Sequence, residues 1–245
     1  MENVLILGAT SGIAQAIARQ LAARGVNLIL AGRSVEELDR LAGDLRVRFN
    51  CSVTTKKFDA VPIDAHQAFY ESCKANVGRL DGVILCYGYM GDQRKAQDDG
   101  LHAKEVIEVN FTSCVSILHI IANDFEQRGS GFICAISSVA GDRGRQSNYV
   151  YGSSKGALSL FLQGLRNRLA KSGVSVLTVK PGFVDTRMTY GQSGLFLVAK
   201  TEKVAADIIR AIEKKKNVLY TPFFWRWIML IIKLIPESIF KKMSL

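Results

Sequence analysis

The sequence predicts a single-domain α/β fold, with a doubly wound and mostly parallel sheet of about seven strands and helices on both faces. Short apolar runs typical of buried strands alternate along the chain with helical stretches. This alternation continues from residue 3 to about residue 220 without a linker or an internal repeat. Because strands that alternate with helices are joined by right-handed crossovers, the pattern favours a parallel sheet.

The individual elements follow from their apolar spacing. Strands are predicted at residues 3–7, 27–31, 52–57, 81–86, 131–136, 174–180 and 217–220. Helices are predicted at residues 12–24, 34–49, 63–77, 101–128, 150–171 and 201–215. Ligands of such sheets bind beyond the carboxyl ends of the strands. The residues that directly follow strands should therefore converge on one crevice, and these are Gly8, Gly88, Ser138 and Pro181-Gly182.

A glycine-containing turn follows the first strand. The apolar run at residues 4–7 stops at Gly8, and a helical pattern begins near Gly12. A turn between a strand and a helix presents backbone N–H groups and the positive end of the helix dipole to an anion. Because the glycines lie between a predicted strand and a predicted helix, this turn is predicted to hold phosphate.

Composition limits the partners and the compartment. The chain has 245 residues, of which 48% are hydrophobic, and a formal net charge of +10. The basic residues are not interleaved with aromatics as a base-stacking surface requires, so no nucleic-acid partner is predicted. Anionic lipid or a phosphorylated substrate remains compatible with the charge. Five scattered cysteines without a C-x-x-C pair indicate reduced thiols in a cytoplasmic protein. The three histidines form no ligand cluster, and no metal site is predicted.

Three side chains in the second half of the chain have the chemistry of proton transfer. Tyr151 and Lys155 are four residues apart and share one face of a predicted helix. A phenol has a pKa of about 10, and an ammonium beside it would lower that pKa. With the hydroxyl of Ser138, the phenol and the amine could move a proton on and off a carbonyl oxygen.

In combination these motifs resemble the short-chain dehydrogenase/reductase family, in its compact Rossmann-like form. The ordered set comprises Gly8-x-x-x-Gly12-x-Ala14, Asp59, Asn110, Ser138, Tyr151, Lys155 and Pro181-Gly182 with Thr186. The resemblance implies that Ser138 hydrogen-bonds a substrate carbonyl and that Tyr151 transfers the proton. It implies that Lys155 holds the nicotinamide ribose and lowers the tyrosine pKa, and that Asn110 anchors a water linking the lysine to solvent.

The resemblance also implies a dinucleotide bound along the strand ends. The expected cofactor-binding residues are Gly8, Thr10, Ser11, Gly12, Ile13, Arg33, Ser34, Asp59, Ala60, Gly88, Tyr151, Lys155, Pro181, Gly182, Val184 and Thr186. Asp59-Ala60 resembles the adenine contact of the family. Residues 183–200 are expected to form the substrate loop, with hinges at Gly191 and Gly194.

Two positions depart from the family pattern. Ala14 replaces the third glycine of the phosphate turn, which is expected to have little effect because alanine still allows close helix–strand packing. The Asn-Ala-Gly segment of the family is Cys86-Tyr87-Gly88 here. Gly88 still allows the backbone to pass close to a cofactor, whereas one local contact of the asparagine is in doubt and Tyr87 is unexplained.

The end of the second predicted strand points to NADP(H) as the cofactor. Enzymes that prefer NAD place an acidic residue there against the ribose 2′-hydroxyl. In this chain the acid position is Gly32, and Arg33 follows it. A guanidinium can pair bidentately with a 2′-phosphate. The alternative is that Arg33 is a surface charge at the start of a helix.

The composition changes after residue 220, so residues 1–220 are predicted to form the dinucleotide-binding and catalytic domain and residues 221–245 an amphipathic tail. The apolar stretch between Pro222 and Pro236 has 13 residues and two cations, too short for a membrane span of about 20 residues. Aromatics at one end and cations on a stripe are typical of an interfacial helix. The tail is expected either to dock at an anionic membrane surface or to pack on its own core or on a second subunit of a homo-oligomer.

The leading prediction is an NADP(H)-dependent carbonyl reductase that converts a ketone to a secondary alcohol. The shape of the tail is also similar to that of reductases that act on decaprenylphosphoryl-2-keto-ribose, which would imply a lipid-linked keto-sugar and a peripheral site at the inner face of the cytoplasmic membrane. The alternative substrate is a soluble ketone, with the tail as lid or dimer contact. A non-enzymatic NADP-binding scaffold is a further alternative, disfavoured by the intact Tyr151/Lys155 pair.

Overall fold

The computed structural model describes residues 1–187 and 197–243. Seven parallel strands form one sheet in the order β3-β2-β1-β4-β5-β6-β7. The strands are β1 (Asn3–Leu7), β2 (Asn27–Gly32), β3 (Val53–Lys57), β4 (Gly82–Leu85), β5 (Gly131–Ile136), β6 (Val174–Pro181) and β7 (Val218–Thr221). The predicted Rossmann-like doubly wound sheet is confirmed. The strand order reverses between β1 and β4, which opens a crevice at their carboxyl ends.

Helices cover both faces of the sheet. They are α1 (Gly12–Ala22), α2 (Val35–Arg48), α3 (His66–Val77), α4 (Gln93–Asp98), α5 (Gly100–Ile107), α6 (Ser113–Arg128), α7 (Tyr149–Leu169), α8 (Thr201–Glu213), α9 (Trp225–Leu234) and α10 (Glu237–Phe240). The short helix α4 was not predicted. It buries no residue, so it leaves no apolar period in the sequence, and Asp92 caps it by accepting from the N–H groups of Arg94 and Lys95.

The predicted helix at residues 101–128 is interrupted. A π-helical turn, Glu108–Thr112, separates α5 from α6 and contains the fully buried Asn110. Within the described residues, Gly100–Arg128 is the one helical stretch whose length and hydropathy would suit a membrane span. Core helices of soluble proteins have the same properties, and Ile117, Leu118 and Ile121 are fully buried against the sheet.

Alternate residues of the central strands pack into two cores. Val4 and Ile6 of β1 face α1, α2 and α8, whereas Leu5 and Leu7 face α3, α6 and α7. This alternation follows from the two-residue period of a strand.

All five cysteines are free, as predicted.

The segment after β7 returns to the carboxyl end of the sheet. The buried side chains of Trp225 and Met229 on α9 pack against Val139, which lies just after β5. The expectation of a tail packed on its own core is therefore met on one side of α9.

Residues 188–196, which include the expected hinges Gly191 and Gly194, lie outside the described residues.

Candidate active site

The turn after β1 requires glycine at position 8. Gly8 has φ +77°, and a Cβ atom on it would lie 2.6 Å from the backbone nitrogen of Tyr87. Its N–H donates to the Ala31 carbonyl at 2.8 Å. Ser11 caps α1 by accepting from the N–H of Ala14 at 3.3 Å. A tight turn therefore leads directly into a helix N-terminus, the arrangement that binds phosphate.

Thr186 lies beside the start of α1, although the two are far apart in sequence. A Cβ atom on Gly12 would be 3.3 Å from Cγ2 of Thr186 and 3.4 Å from Cγ2 of Thr201. Val184 is buried and forms an isolated parallel bridge with Ala199. The segment after β6 thus closes one side of the phosphate turn, as the predicted cofactor role of Val184 and Thr186 requires.

The end of β2 exposes a guanidinium at the expected position. Arg33 is exposed, and no hydrogen bond or ion pair engages it within residues 1–187 and 197–243. Ser34 caps α2 by accepting from the N–H of Glu37 at 3.3 Å, which gives this serine a structural role. Arg33 is thus free to pair with a phosphate. Asp59, after β3, is also exposed, and its Oδ1 accepts from the N–H of Val61 at 3.2 Å.

Ser138 and Tyr151 come close together where the turn after β5 meets α7. Ser138 begins a 3-10 turn, Val139–Gly141, and its Oγ accepts from the N–H of Ala140 at 3.1 Å. Burial raises the pKa of Tyr151 to about 12, and the nearby Ser138 hydroxyl opposes that rise. The phenol is therefore protonated at neutral pH.

Lys155 lies beside Tyr151 without lowering its pKa as expected. Nζ of Lys155 is 5.9 Å from the centroid of the Tyr151 ring and donates to the Ile136 carbonyl at 3.2 Å. Burial lowers the pKa of Lys155, while Cys114 and Cys86 act to raise it. The expected lowering of the tyrosine pKa is not found, because loss of solvation is the dominant effect on the phenol and raises its pKa.

Asn110 and Gly88 complete the crevice around Lys155. A Cβ atom on Gly88 would lie 3.0 Å from Oδ1 of Asn110 and 3.1 Å from Nζ of Lys155. The Asn110 amide donates to the carbonyl of Tyr89 at 2.6 Å and accepts from its N–H at 2.8 Å. Asn110 thus fixes the backbone after β4, with its own position set by the π-helical turn, a feature frequent at functional sites. Its role as a water anchor stays a prediction.

Glycines on α7 allow the serine turn to approach the helix. A Cβ atom on Gly152 would lie 2.9 Å from the carbonyl oxygen of Ala140, and one on Gly156 would lie 3.0 Å from that of Gly141. This contact was not predicted from the sequence. The sequence does contain a signal for this contact, because Gly152 and Gly156 are four residues apart and share one face of the helix that carries Tyr151 and Lys155.

The departures from the family pattern have structural explanations. The Tyr87 hydroxyl lies 3.0 Å from Oγ of Ser113, and its ring centroid lies 5.8 Å from that of Phe58. Burial raises the pKa of Tyr87 well above its usual value, so this phenol is a packing group. Ala14 is fully buried and packs in the core beside β1, which agrees with the expectation of little cost.

The observed geometry fits a phosphate-containing dinucleotide. The turn at Gly8 and the open backbone at Gly88 leave room that any side chain would fill, and Arg33 supplies a free cation at the edge. No group of three or more metal-ligating side chains is present among the described residues. The crevice therefore combines an anion cradle with a protonated phenol, a serine hydroxyl and a buried amine.

Comparison with known proteins agrees with this arrangement. The family model for short chain dehydrogenase matches residues 2–193, so the chain belongs to this family. It is 36% identical to an uncharacterized oxidoreductase of Mycobacterium tuberculosis over 240 residues, covering 98% of this chain and 96% of that protein. An uncharacterized oxidoreductase of Streptomyces coelicolor is 34% identical over 243 residues, with 98% and 95% covered.

Solved structures share the whole architecture. A short-chain dehydrogenase from Sphingobium yanoikuyae, solved in complex with NADPH, is 25% identical with a TM-score of 0.82, and the alignment covers 97% of this chain and 98% of that one. Levodione reductase has a TM-score of 0.81 at 20% identity, with 90% and 95% covered, which supports the fold. The protein is an oxidoreductase of the short-chain family.

Proposed function

We propose that the protein is an NADP(H)-dependent reductase that converts a ketone to a secondary alcohol, with Tyr151 as the acid. The observation that carries this proposal is the buried, protonated Tyr151, which lies close to Ser138 and beside Lys155 in the crevice. Reduction of a carbonyl needs a donor that carries its proton at the working pH, and the Tyr151 phenol meets that need.

Each side chain of the site has its own role in the proposed reaction. NADPH, when bound, supplies the hydride. The Tyr151 hydroxyl gives its proton to the carbonyl oxygen. The Ser138 hydroxyl donates a hydrogen bond to the charge developing on that oxygen, which typically stabilises a transition state by about 3 kcal/mol. Lys155 would hold the nicotinamide ribose, and Asn110 holds the backbone at Tyr89 in place.

The preference for NADP(H) rests on Arg33. Gly32 occupies the position where an acid would repel a 2′-phosphate, and the exposed Arg33 guanidinium follows it. The complex of the Sphingobium yanoikuyae relative with NADPH supports the same choice.

We further propose a membrane-borne carbonyl, such as a lipid-linked keto-sugar, as the substrate class. The position of the tail supports this substrate class, because α9 packs on Val139, the residue next to Ser138, which is the proposed contact of the substrate carbonyl. A soluble ketone, with the tail as lid or contact of a homo-oligomer, is the second candidate. It is favoured by the extensive packing of Trp225 and Met229 on the main domain. A scaffold without activity is the least supported candidate because the Tyr151/Lys155 pair is intact.

The test is a panel of ketones, soluble and lipid-linked, assayed by NADPH oxidation with wild type and Tyr151→Phe. We expect turnover to fall by about 10²–10⁴-fold in the variant, while NADPH binding persists. A Phe variant that keeps more than about a tenth of the wild-type rate would show that Tyr151 is not the acid.

A further inference from the structure

Helix α9 is apolar on two opposite sides. Its core-facing stripe, Trp225, Ile228, Met229 and Ile232, follows the spacing of a helix face and packs around Val139. With 3.6 residues per turn, Trp227 and Leu234 lie on the opposite side. A helix that is apolar on opposite sides is typical of a helix buried on both, yet residues 1–187 and 197–243 cover only one side of this one.

The second side is open to solvent. The exposed fractions are 57% for Trp227, 43% for Leu230, 66% for Ile231 and 72% for Leu234. Phe223, before α9, is 74% exposed, and Ile239 on α10 is 56% exposed. We call these six side chains the outward face. Several large apolar side chains exposed on one short segment are typical of an interaction site.

Cations border the outward face. Arg226 and Lys233 are seven residues apart and lie along one edge of α9, and the Arg226 guanidinium sits 5.7 Å from the centroid of the Trp227 ring. Lys241 and Lys242 follow α10 and are exposed. Glu237 is the one acid in residues 222–243, and it is paired with Arg143 at 2.7 Å. The edge of the outward face is thus positively charged.

Arg143 ties the end of α9 to the main domain. Its Nη1 donates to the carbonyls of Ile232 and Lys233, at the end of α9, and of Ile235, the next residue after the helix, at 3.3, 3.0 and 2.8 Å. Its guanidinium also stacks on the Phe240 ring, 4.0 Å from the centroid. Arg143 therefore links both α9 and α10 to the main domain.

We propose that the outward face docks on the surface of an anionic lipid bilayer. Aromatic and aliphatic side chains would enter the interfacial region, with Trp227 at the headgroup level. Arg226 and Lys233 have apolar stems long enough to follow the bilayer surface while their charges meet lipid phosphates. A second copy of this chain suits the surface less well, because a self-contact across the outward face brings two rows of cations together.

Vesicle flotation tests this proposal on the full chain. The probes are vesicles of equal parts phosphatidylglycerol and phosphatidylcholine, and vesicles of phosphatidylcholine alone. We expect capture by the anionic vesicles at low salt, with a smaller fraction retained at high salt. Trp227→Glu and Leu234→Glu should each reduce capture by at least about tenfold, because each places a carboxylate in the apolar region.

Matched variants control for charge and folding. Val47→Glu makes the same charge change at an 89% exposed site on α2 and should leave capture unchanged. Arg226→Gln and Lys233→Gln should each reduce capture by about fivefold, whereas Lys171→Gln, at an exposed cation just after α7, should not. All variants should keep the thermal unfolding midpoint and the NADPH affinity of wild type, so the result is independent of which ketone is the substrate.

Wild type that stays off anionic vesicles at low salt would overturn the proposal. Equal losses for Trp227→Glu and Val47→Glu would also overturn it, since binding would then follow net charge alone. If Trp227→Glu instead converts an oligomer to a smaller species in size-exclusion chromatography while wild type ignores vesicles, the outward face is a contact between copies.

Discussion

The indole of Trp225 fills the space that a side chain at residue 182 would occupy. A Cβ atom on Gly182 would lie 1.9 Å from Nε1 of Trp225 and 2.0 Å from Cε2. Gly182 follows β6, and its N–H donates to the Thr221 carbonyl at 3.1 Å. Gly182 therefore contacts both the last strand and the tail. The Pro181-Gly182 pair, which is predicted to bind the cofactor, also has a packing role in this chain.

Gly182→Ala should destabilise the protein by about 1–3 kcal/mol because the new methyl group forces the buried indole to move. Thermal or denaturant unfolding measures this effect. Gly144→Ala is the matched control, since a Cβ atom there meets nothing within 4 Å. Equal unfolding midpoints for the two variants would show that the Trp225 indole moves aside without a loss of stability.

Arg33→Ala should weaken NADPH binding far more than NADH binding, because only NADPH carries the 2′-phosphate. A charge-assisted hydrogen bond contributes roughly 1.5–3 kcal/mol, which corresponds to about ten- to a hundredfold in Kd. Fluorescence titration with both dinucleotides measures the difference. If both affinities fell by the same factor, Arg33 would not be the phosphate contact.

Arg143→Ala should cost about 2–4 kcal/mol of stability, because several carbonyls at the end of α9 lose a charged donor. Arg40→Ala removes an exposed pair with Glu36 on α2 and should change stability by at most about 1 kcal/mol. Denaturant unfolding compares the two. Similar small effects would mean that solvent replaces Arg143 at the carbonyls.

Tyr151 should remain un-ionised in the cofactor-free protein until the pH comes close to 12. The difference in ultraviolet absorbance between wild type and Tyr151→Phe during alkaline titration isolates this phenol. Because the folded pKa exceeds the ordinary value near 10, the contribution of Tyr151 to stability is present below that value and is lost as the pH rises toward 12. A phenolate signal from this residue near neutral pH would contradict the raised pKa.

The strands could be predicted because their signals are local. Each strand bound differs by at most one residue from its prediction, since apolar runs and glycine turns lie next to each other in sequence. Ser138, Tyr151 and Lys155 were singled out by residue type and spacing together with the family resemblance, and the structure places Lys155 beside Tyr151. Asn110 was singled out as a site residue, but the π-helical turn that contains it was not predicted. The contact of Asn110 with the Tyr89 backbone joins segments that are distant in sequence, so no local pattern indicates it.

Long-range contacts escaped sequence reasoning for the same reason. Arg143 lies in a loop, and nothing near it in sequence indicates that it binds carbonyls about ninety residues away. The buried contact between Asp142, Lys180 and Tyr220 is likewise formed by distant segments. The raised pKa of Tyr151 was missed because the depth of burial is a property of the folded chain.

The contact of Val139 with Trp225 and Met229 has a consequence for how the protein matures during synthesis. All seven strands precede α9 in the chain, so the ribosome releases the sheet before the helix that covers the serine turn. Nascent domains fold from the N-terminal side. Nucleotide binding is then expected to appear in shorter nascent chains than reductase activity does. Stalled chains ending before Pro222 that already reduce ketones would contradict this order.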